Sequence, residues 1–229
     1  TQGVSSAASD VYKRQGIADI QRGDLSNLKK EGIQEMEDVG RRIILAVPYY
    51  GYARQDKRFS AGEVVAAGVI ASHLSNACDG IVILDIHEPK VLENHDHPIR
   101  CVTAVPEIAD WLRKEVDPDF ILSPDKGAVE RARNVAELID VPYSYLEKKR
   151  IDAHTIEHSP KDLDVSGKVV AIVDDMISTG GTICRASDAL RRQGAVEVHA
   201  ACTHGLFTSG ALTRLADHVD GIHLSLIHI

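Results

Sequence analysis

The chain has 229 residues and a formal net charge of −8, and 44% of its residues are hydrophobic and 26% are charged. This composition is typical of a globular protein with enough core for one large or two small α/β domains. The acidic balance argues against general affinity for nucleic acid, and no apolar run approaches the length of a membrane-spanning helix.

Apolar runs and helix-like segments alternate along the chain, and this alternation predicts an α/β fold with mainly parallel sheets. The expected strands are residues 42–47, 80–85, 120–122, 169–173 and 196–203. The expected helices are residues 61–76, 106–115, 128–140, 182–193 and 210–219. We place a domain boundary near residues 100–105.

The two ends of the chain differ in residue pattern from the segments between them. The first 15 residues are polar without a sustained period, and the terminal HLSLIHI breaks the pattern before it. Both resemble translated sequencing-adapter text, so they are left out of the functional interpretation. We predict a non-native leader, a partial N-terminal domain, a C-terminal domain and a non-native tail, over residues 1–16, 17–103, 104–223 and 224–229. On this interpretation the gene product is truncated.

The four cysteines are scattered and form no CxxC pair, and no secretory leader precedes them. Nothing in their spacing indicates an oxidising compartment. We therefore expect a cytoplasmic protein with reduced thiols.

The most informative run is residues 168–183, KVVAIVDDMISTGGTI. Its apolar, largely β-branched residues predict a parallel strand buried on both faces, with Asp174 and Asp175 at its carboxyl end. Open α/β sheets bind ligands at that edge, and an ionised Asp accepts hydrogen bonds from both hydroxyls of a ribose diol. The following loop brings hydroxyls and glycine backbone to the N-terminus of the next helix, where phosphate binds well. The candidate ribose-phosphate residues are Asp174, Asp175, Ser178, Thr179, Gly180, Gly181 and Thr182.

Ordinary turns and helix caps also use Asp, Ser, Thr and Gly. Two adjacent carboxylates at a strand end, however, repel each other unless a ligand or cation compensates them, which favours a functional role. The loop lacks the lysine of a Walker A motif, and no GxGxxG follows a strand. A mononucleotide or dinucleotide site is therefore a less well supported interpretation of this run than a sugar-phosphate site.

Four further segments carry a family resemblance together with residues 168–183. They are YGYARQDKR at 50–58, VILDIHEP at 82–89, SPDKGAVER at 123–131 and YLEKKRI at 145–151. The set resembles the ribose-phosphate pyrophosphokinases, and the residues within these motifs look more like those of the archaeal branch than those of the common bacterial one. Ordinary phosphoribosyltransferases share only the acidic pair Asp174 and Asp175 and the loop after it, residues 178–182, which we call the sugar-phosphate loop.

This resemblance implies two phosphoribosyltransferase-like domains, the first of them incomplete here, with ATP and ribose 5-phosphate as substrates and Mg²⁺ as cofactor. It also implies a homo-oligomer whose nucleotide sites are shared between subunits. It assigns ATP binding to Arg54 and Gln55, and we add Asp56 because its carboxylate can select polar edges. It implies metal contacts at His87 and Asp125. It implies catalytic roles in a mobile loop for Lys148 and Arg150, the latter also binding ribose 5-phosphate.

Two positions depart from the common bacterial pattern: Ser178 stands where that pattern has Asp, and Lys90 stands where many relatives have Gln. The expected reaction transfers diphosphate from ATP to C1 of ribose 5-phosphate. Two alternatives stay open at this point. One is a phosphoribosyltransferase acting on a nitrogenous base, and the other is a non-catalytic regulatory subunit associated with the synthetase.

Overall fold

The computed structural model describes residues 42–58, 60–93, 98–150, 156–160 and 164–227. The predicted leader at 1–16 and the beginning of the predicted first domain lie outside these residues. The chain divides into two compact units, one extending to Val102 and the other beginning at Thr103. The origin of the two termini stays a prediction.

The described part of the first unit is a three-stranded parallel sheet with one helix. Its elements are β1 (Ile44–Val47), α1 (Ala66–Ser75), β2 (Gly80–Leu84), a 3₁₀ turn (Pro89–Leu92) and β3 (Ile99–Val102). The strand order is β1-β2-β3, with Ile44 opposite Gly80 and Ile81 opposite Ile99. The helix begins five residues later than the sequence pattern predicts. Gly62 has φ +88°, a left-handed conformation that cannot belong to a right-handed helix.

The second unit is built around a six-stranded sheet. Its elements are α2 (Val105–Trp111) with a π-helical turn (Leu112–Val116), β4 (Phe120–Ser123), α3 (Val129–Ile139), β5 (Tyr143–Arg150), β6 (Ile156–Pro160), β7 (Val169–Ile177), α4 (Gly181–Arg192), β8 (Glu197–Gly205), α5 (Ala211–Ala216) and β9 (Gly221–Ile227). The strand order is β6-β5-β4-β7-β8-β9. The pairings are parallel except for β5 with β6.

The core of the second unit surrounds β7, which lies between β4 and β8. Val170 and Ile172 on β7 are fully buried, and they share one apolar cluster with Val198 on β8 and Leu190 on α4. An apolar strand buried on both faces is what a parallel sheet with helices on each side requires. The α/β fold with mainly parallel sheets is confirmed. None of the helices described is long and apolar enough to cross a membrane.

β7 is longer than the sequence predicts, and this changes the position of the carboxylates. The strand was expected to end at Val173, but it continues through Ile177 because Met176 and Ile177 pair with His204 and Gly205 of β8. Asp174 and Asp175 therefore lie within the last half of the strand. Because two aspartates follow Val173, a prediction based on continuous apolar residues ends the strand there.

Four strands were not expected from the sequence, and the segment of the basic residues was interpreted wrongly. Lys148 and Arg150 were expected in a loop, but their backbone is the end of β5, paired antiparallel with β6. Pairing with a neighbour, which a charged sequence does not reveal, holds this segment extended. The other unexpected strands are β3, β6 and β9. Since β9 runs to Ile227, the proposed domain end at residue 223 falls inside a strand.

Candidate active site

The two adjacent carboxylates of β7 differ in exposure. Asp174 is partly exposed, whereas Asp175 is 4% exposed. Asp174 Oδ1 accepts the N–H of Asp175 at 2.9 Å, and Asp175 Oδ1 accepts the N–H of Met176 at 2.8 Å. Asp174 is thus the less buried of the two carboxylates, and the N–H of Asp175 holds it in place.

The electrostatic environment of Asp174 opposes its negative charge. Burial raises its pKa well above the usual range for Asp, and the charge of Asp175 and a hydrogen bond between the two carboxyl groups raise it further. The N–H of Asp175 acts in the opposite direction, and the carboxylate of Asp125 adds a smaller upward shift. A group of carboxylates that resists ionisation is stabilised by hydroxyl donors or by a cation.

The loop from Ser178 to Gly181 leads from β7 into α4. Thr179 is exposed, and Gly180 is the N-cap residue of the helix, with φ +75°. The first turn of α4 contains no acidic residue. Because the first N–H groups of a helix have no partner within it, and the helix dipole is positive there, this end suits a phosphate group.

Gly180 also packs closely against α5. A Cβ atom added at Gly180 would lie 3.0 Å from Cγ of Leu215, which is fully buried. The left-handed φ and this contact are two separate reasons for glycine at the position. The contact cannot be read from the motif itself, since Leu215 lies 35 residues further along the chain.

Gly180→Ala is expected to lower the free energy of unfolding by about 2 kcal/mol, because the side chain adds left-handed strain and overpacking together. The matched control is Gly167→Ala, where φ is +70° but no atom lies within 4 Å of the added Cβ. We expect that control to cost about 1 kcal/mol. Urea denaturation measures both values, and equal losses would show that Leu215 yields without cost.

Asp125 stands at the beginning of α3 and has a structural role. Its Oδ1 accepts the N–H groups of Gly127 at 2.8 Å and of Ala128 at 3.3 Å, and the Ser123 hydroxyl donates to its backbone oxygen at 2.6 Å. The negative charge of Asp125 also raises the pKa of Asp174. Carboxylate oxygens are what Mg²⁺ prefers, so this residue fits a magnesium contact. Among the residues described, no three His, Cys, Asp or Glu side chains form a metal-binding group.

The backbones of Lys148 and Arg150 lie at the same edge of the sheet as the acidic pair, Asp174 and Asp175. In the parallel register, Ser123 of β4 lies opposite Tyr145, so β5 continues past the carboxyl end of β4. Lys148 and Arg150 occupy that extension, opposite His158 and Ile156 of β6. The carboxyl ends of β4, β5 and β7 therefore bring Asp125, the basic pair and Asp174 to one edge.

In the first unit, the Arg54–Asp56 segment is held in a turn against the start of α1. The buried Tyr50 hydroxyl donates to the backbone oxygen of Ala67 at 2.6 Å, and the N–H of Ala67 donates to the backbone oxygen of Gln55 at 3.3 Å. Arg54 and Gln55 are exposed. The turn thus presents a guanidinium and an amide at the surface on a fixed backbone.

His87 is exposed and follows the end of β2. Just before it, Asp85 is buried with φ 40°, and its N–H donates to the backbone oxygen of Val102 at 2.9 Å. A left-handed Asp at a strand end redirects the chain out of the sheet. The redirection exposes His87 beyond the carboxyl end of β2.

The loop after β8 contains site residues that the sequence analysis did not select. The Thr208 hydroxyl lies 3.2 Å from the Ser178 hydroxyl, and the N–H of Thr208 donates to the Ser178 backbone oxygen at 3.0 Å. Arg214 donates hydrogen bonds to the backbone oxygens of Thr179 and Ser209. The only signal available was GLFTSG at 205–210, a glycine-rich and hydroxyl-rich turn directly after a predicted strand.

Comparisons with known families now identify the chain. The model of the phosphoribosyl transferase domain matches residues 95–220, more than half of the chain, and the model of the N-terminal domain of ribose phosphate pyrophosphokinase matches residues 36–78. The chain belongs to the ribose-phosphate pyrophosphokinase family. The resemblance drawn from its motifs is confirmed.

Curated archaeal proteins of that family are similar to this chain. The ribose-phosphate pyrophosphokinase of Methanopyrus kandleri is 44% identical over 181 residues, which cover 78% of this chain and 62% of the relative. That of Pyrococcus furiosus is 41% identical over 180 residues, covering 79% and 64%. The chain thus spans less than two thirds of the length of these pyrophosphokinases.

A solved structure has a similar fold. The phosphoribosylpyrophosphate synthetase from Mycobacterium smegmatis aligns with a TM-score of 0.72 and 34% sequence identity, covering 80% of this chain and 61% of that one. The pyrophosphokinase fold therefore extends over most of the chain.

Proposed function

We propose that this pyrophosphokinase chain carries the site of a ribose-phosphate diphosphokinase. The reaction transfers diphosphate from ATP to C1 of ribose 5-phosphate and gives phosphoribosyl diphosphate and AMP. One observation supports it most: the sugar-phosphate loop and the N-terminal pyrophosphokinase segment occur in the same chain. A transferase acting on a base needs the loop but has no use for an ATP segment.

The acidic pair and the loop would hold ribose 5-phosphate. Asp174, the more exposed carboxylate, accepts hydrogen bonds from the ribose hydroxyls, and the buried Asp175 fixes its position. The phosphate occupies the N-terminus of α4 and contacts Ser178, Thr179, Gly180, Gly181 and Thr182. This division of roles follows from the different exposure of the two carboxylates.

The nucleotide would be held by the first unit. Arg54 and Gln55 are exposed on the turn before α1, and Asp56 follows them. A guanidinium binds phosphate or stacks on adenine, while the amide and carboxylate select polar edges of the nucleotide. The hydrogen bonds of Gln55 and Tyr50 to Ala67 reduce the mobility of this turn before ATP binds.

Lys148 and Arg150 would stabilise the charge of the transferring group. The C1 hydroxyl attacks the β-phosphorus of ATP, and the bond from the β-phosphorus to the oxygen of the α-phosphate breaks. Negative charge spreads over phosphate oxygens at that stage, so cations at the sheet edge lower the barrier. Arg150 also contributes to ribose 5-phosphate binding.

His87 and Asp125 are the proposed Mg²⁺ contacts. When bound, the ion neutralises phosphate charge and orients the phosphate oxygens. With one of its carboxylate oxygens already bound to two N–H groups, Asp125 offers a rigid contact. Such a sparse set suits Mg²⁺, which takes most of its ligands from water and substrate phosphates.

The test is AMP formation from ATP, ribose 5-phosphate and Mg²⁺, followed by chromatography of the nucleotides. We expect AMP and phosphoribosyl diphosphate in equal amounts, and none when ribose replaces ribose 5-phosphate. Pyrophosphate release that needs a nitrogenous base but no ATP would instead identify a phosphoribosyltransferase. Ribose 5-phosphate binding without AMP formation would identify a regulatory subunit.

The proposed enzyme acts as a homo-oligomer with nucleotide sites shared between subunits, as the family resemblance implies. Sedimentation velocity at two protein concentrations tests the assembly. A species of monomer mass throughout would contradict it.

A further inference from the structure

A second loop, residues 206–210, is hydrogen-bonded to the end of β7 and to the first residue of the sugar-phosphate loop. The N–H groups of Leu206 and Phe207 donate to the backbone oxygen of Ile177, at 2.9 and 3.2 Å. Thr208 bonds to Ser178 through both its backbone and its hydroxyl. These hydrogen bonds therefore fix the backbone of the sugar-phosphate loop relative to the loop after β8.

The second loop adopts a conformation that needs support from its surroundings. Phe207 has φ 43°, Ser209 has φ 55° and Gly210 has φ 72°. Left-handed conformations at residues with a Cβ atom cost about 1 kcal/mol or more each, so they persist only where neighbouring contacts hold them. One of those contacts comes from α5.

Arg214 on α5 connects the two loops. Its Nη1 donates to the backbone oxygen of Thr179, in the sugar-phosphate loop, and its Nη2 donates to the backbone oxygen of Ser209 at 3.2 Å. The next residue, Leu215, packs against Gly180. One turn of α5 therefore holds the sugar-phosphate loop both by hydrogen bonding and by packing.

The bond to Thr179 determines the direction of the next amide group. In a trans peptide the C=O and N–H bonds point in opposite directions, and the described residues contain no cis peptide. With the Thr179 oxygen turned toward Arg214, the N–H of Gly180 points away from Arg214. That N–H is one of the donors that the proposed phosphate site requires.

We propose that Arg214 is a positioning residue of the sugar-phosphate loop, which orients the Thr179–Gly180 peptide for the 5-phosphate of the substrate. The proposal rests on the proposed function in taking that phosphate as the ligand. Arg214 acts through the backbone, and it needs the two-nitrogen geometry of a guanidinium because it bonds two separate carbonyl groups.

Titration calorimetry with ribose 5-phosphate and with ribose tests the proposal on the whole chain. Arg214→Met keeps the length of the side chain but removes both hydrogen bonds, and Arg214→Lys keeps the charge but not the paired nitrogens. The matched control is Arg192→Met, on an exposed residue in the last turn of α4. We expect Arg214→Met to weaken ribose 5-phosphate binding about 10-fold, with little recovery in Arg214→Lys and no change for the control.

Ribose affinity should stay the same in every variant, because the ribose hydroxyls contact the acidic pair. Full recovery in Arg214→Lys would show that charge alone is needed and would overturn the proposal. Binding by Arg214→Met within twofold of the control would overturn it as well.

Hydrogen exchange without ligand separates this proposal from the proposed function. Arg214→Met should speed amide exchange at Thr208 and Cys184, whose N–H groups bond to Ser178 and Gly180, about 10-fold relative to Arg192→Met, because a rigid contact has been removed. Unchanged exchange would contradict positioning even if AMP forms normally. Faster exchange in a protein that makes no AMP would support positioning and contradict the diphosphokinase assignment.

Discussion

Asp174→Asn is expected to lower AMP formation about 100-fold or more and at the same time to raise the thermal stability of the protein at pH 8. The loss follows if Asp174 accepts two hydroxyl hydrogen bonds from ribose. Each such charged bond contributes about 1.5 kcal/mol or more, and the amide offers a weaker acceptor.

The gain in stability follows from the pKa of Asp174. Burial and the neighbouring Asp175 raise this pKa in the folded protein above its value in the unfolded chain. The ionised carboxyl group therefore destabilises the fold at any pH above the raised pKa. The penalty decreases as the pH falls through that pKa and is absent below the unfolded value of about 3.9.

Asn carries no charge, so the variant lacks the destabilisation that the ionised Asp174 causes at high pH. We expect its melting temperature to exceed that of the parent by about 3 °C or more at pH 8, and the difference to shrink toward pH 4. Calorimetry in EDTA without substrate measures this. Asp110→Asn, at a surface residue paired with Lys114 by a 2.7 Å ion pair, is the control and should change the melting temperature by about 1 °C or less.

A melting temperature that falls at pH 8 would contradict the interpretation of Asp174 as a strained charge. Near-normal AMP formation in the same variant would contradict its role with ribose. The two outcomes are independent, because the stability measurement needs no substrate.

Lys148→Ala is expected to reduce kcat for AMP formation about 100-fold to 1000-fold, with KM for both substrates nearly unchanged. The backbone of Lys148 lies in the extension of β5 beyond β4, at the edge that carries Asp125 and Asp174. A cation that acts mainly on charge developing in the transition state affects turnover more than binding.

Initial rates over a matrix of ATP and ribose 5-phosphate concentrations separate the two effects. Lys114→Ala, at an exposed lysine after α2, serves as the control and should retain full activity. A Lys148→Ala variant with an unchanged kcat would contradict a catalytic role. A rise in KM alone would assign the residue to substrate binding.

The fold was accessible from the sequence wherever apolar residues were continuous. Val169 to Val173 and the glycine-rich turn predicted the starts of β7 and α4 to within one residue. The continuation of β7 past Asp174 was missed because hydrogen bonds to β8, rather than apolar side chains, extend it. Such pairings join residues about 30 positions apart, which local patterns do not contain.

The composition of the sugar-phosphate loop was visible from the sequence, but the contacts that shape it were not. Gly180 could be justified by backbone freedom alone, whereas its contact with Leu215 depends on how α5 packs. The basic segment of β5 looked like a loop because charged residues carry little strand signal. The roles assigned to individual site residues stay predictions.

The packing of Leu215 against Gly180 means that the conformation of the sugar-phosphate loop depends on residues outside its motif. Both Leu215 and Thr208, which bonds to Ser178, lie outside residues 168–183. On the proposed function, substitutions at Leu215 or Thr208 are expected to alter substrate affinity while every motif residue stays in place. Two homologues with identical sugar-phosphate loops need not bind their substrate equally well, and motif searches alone will not rank them.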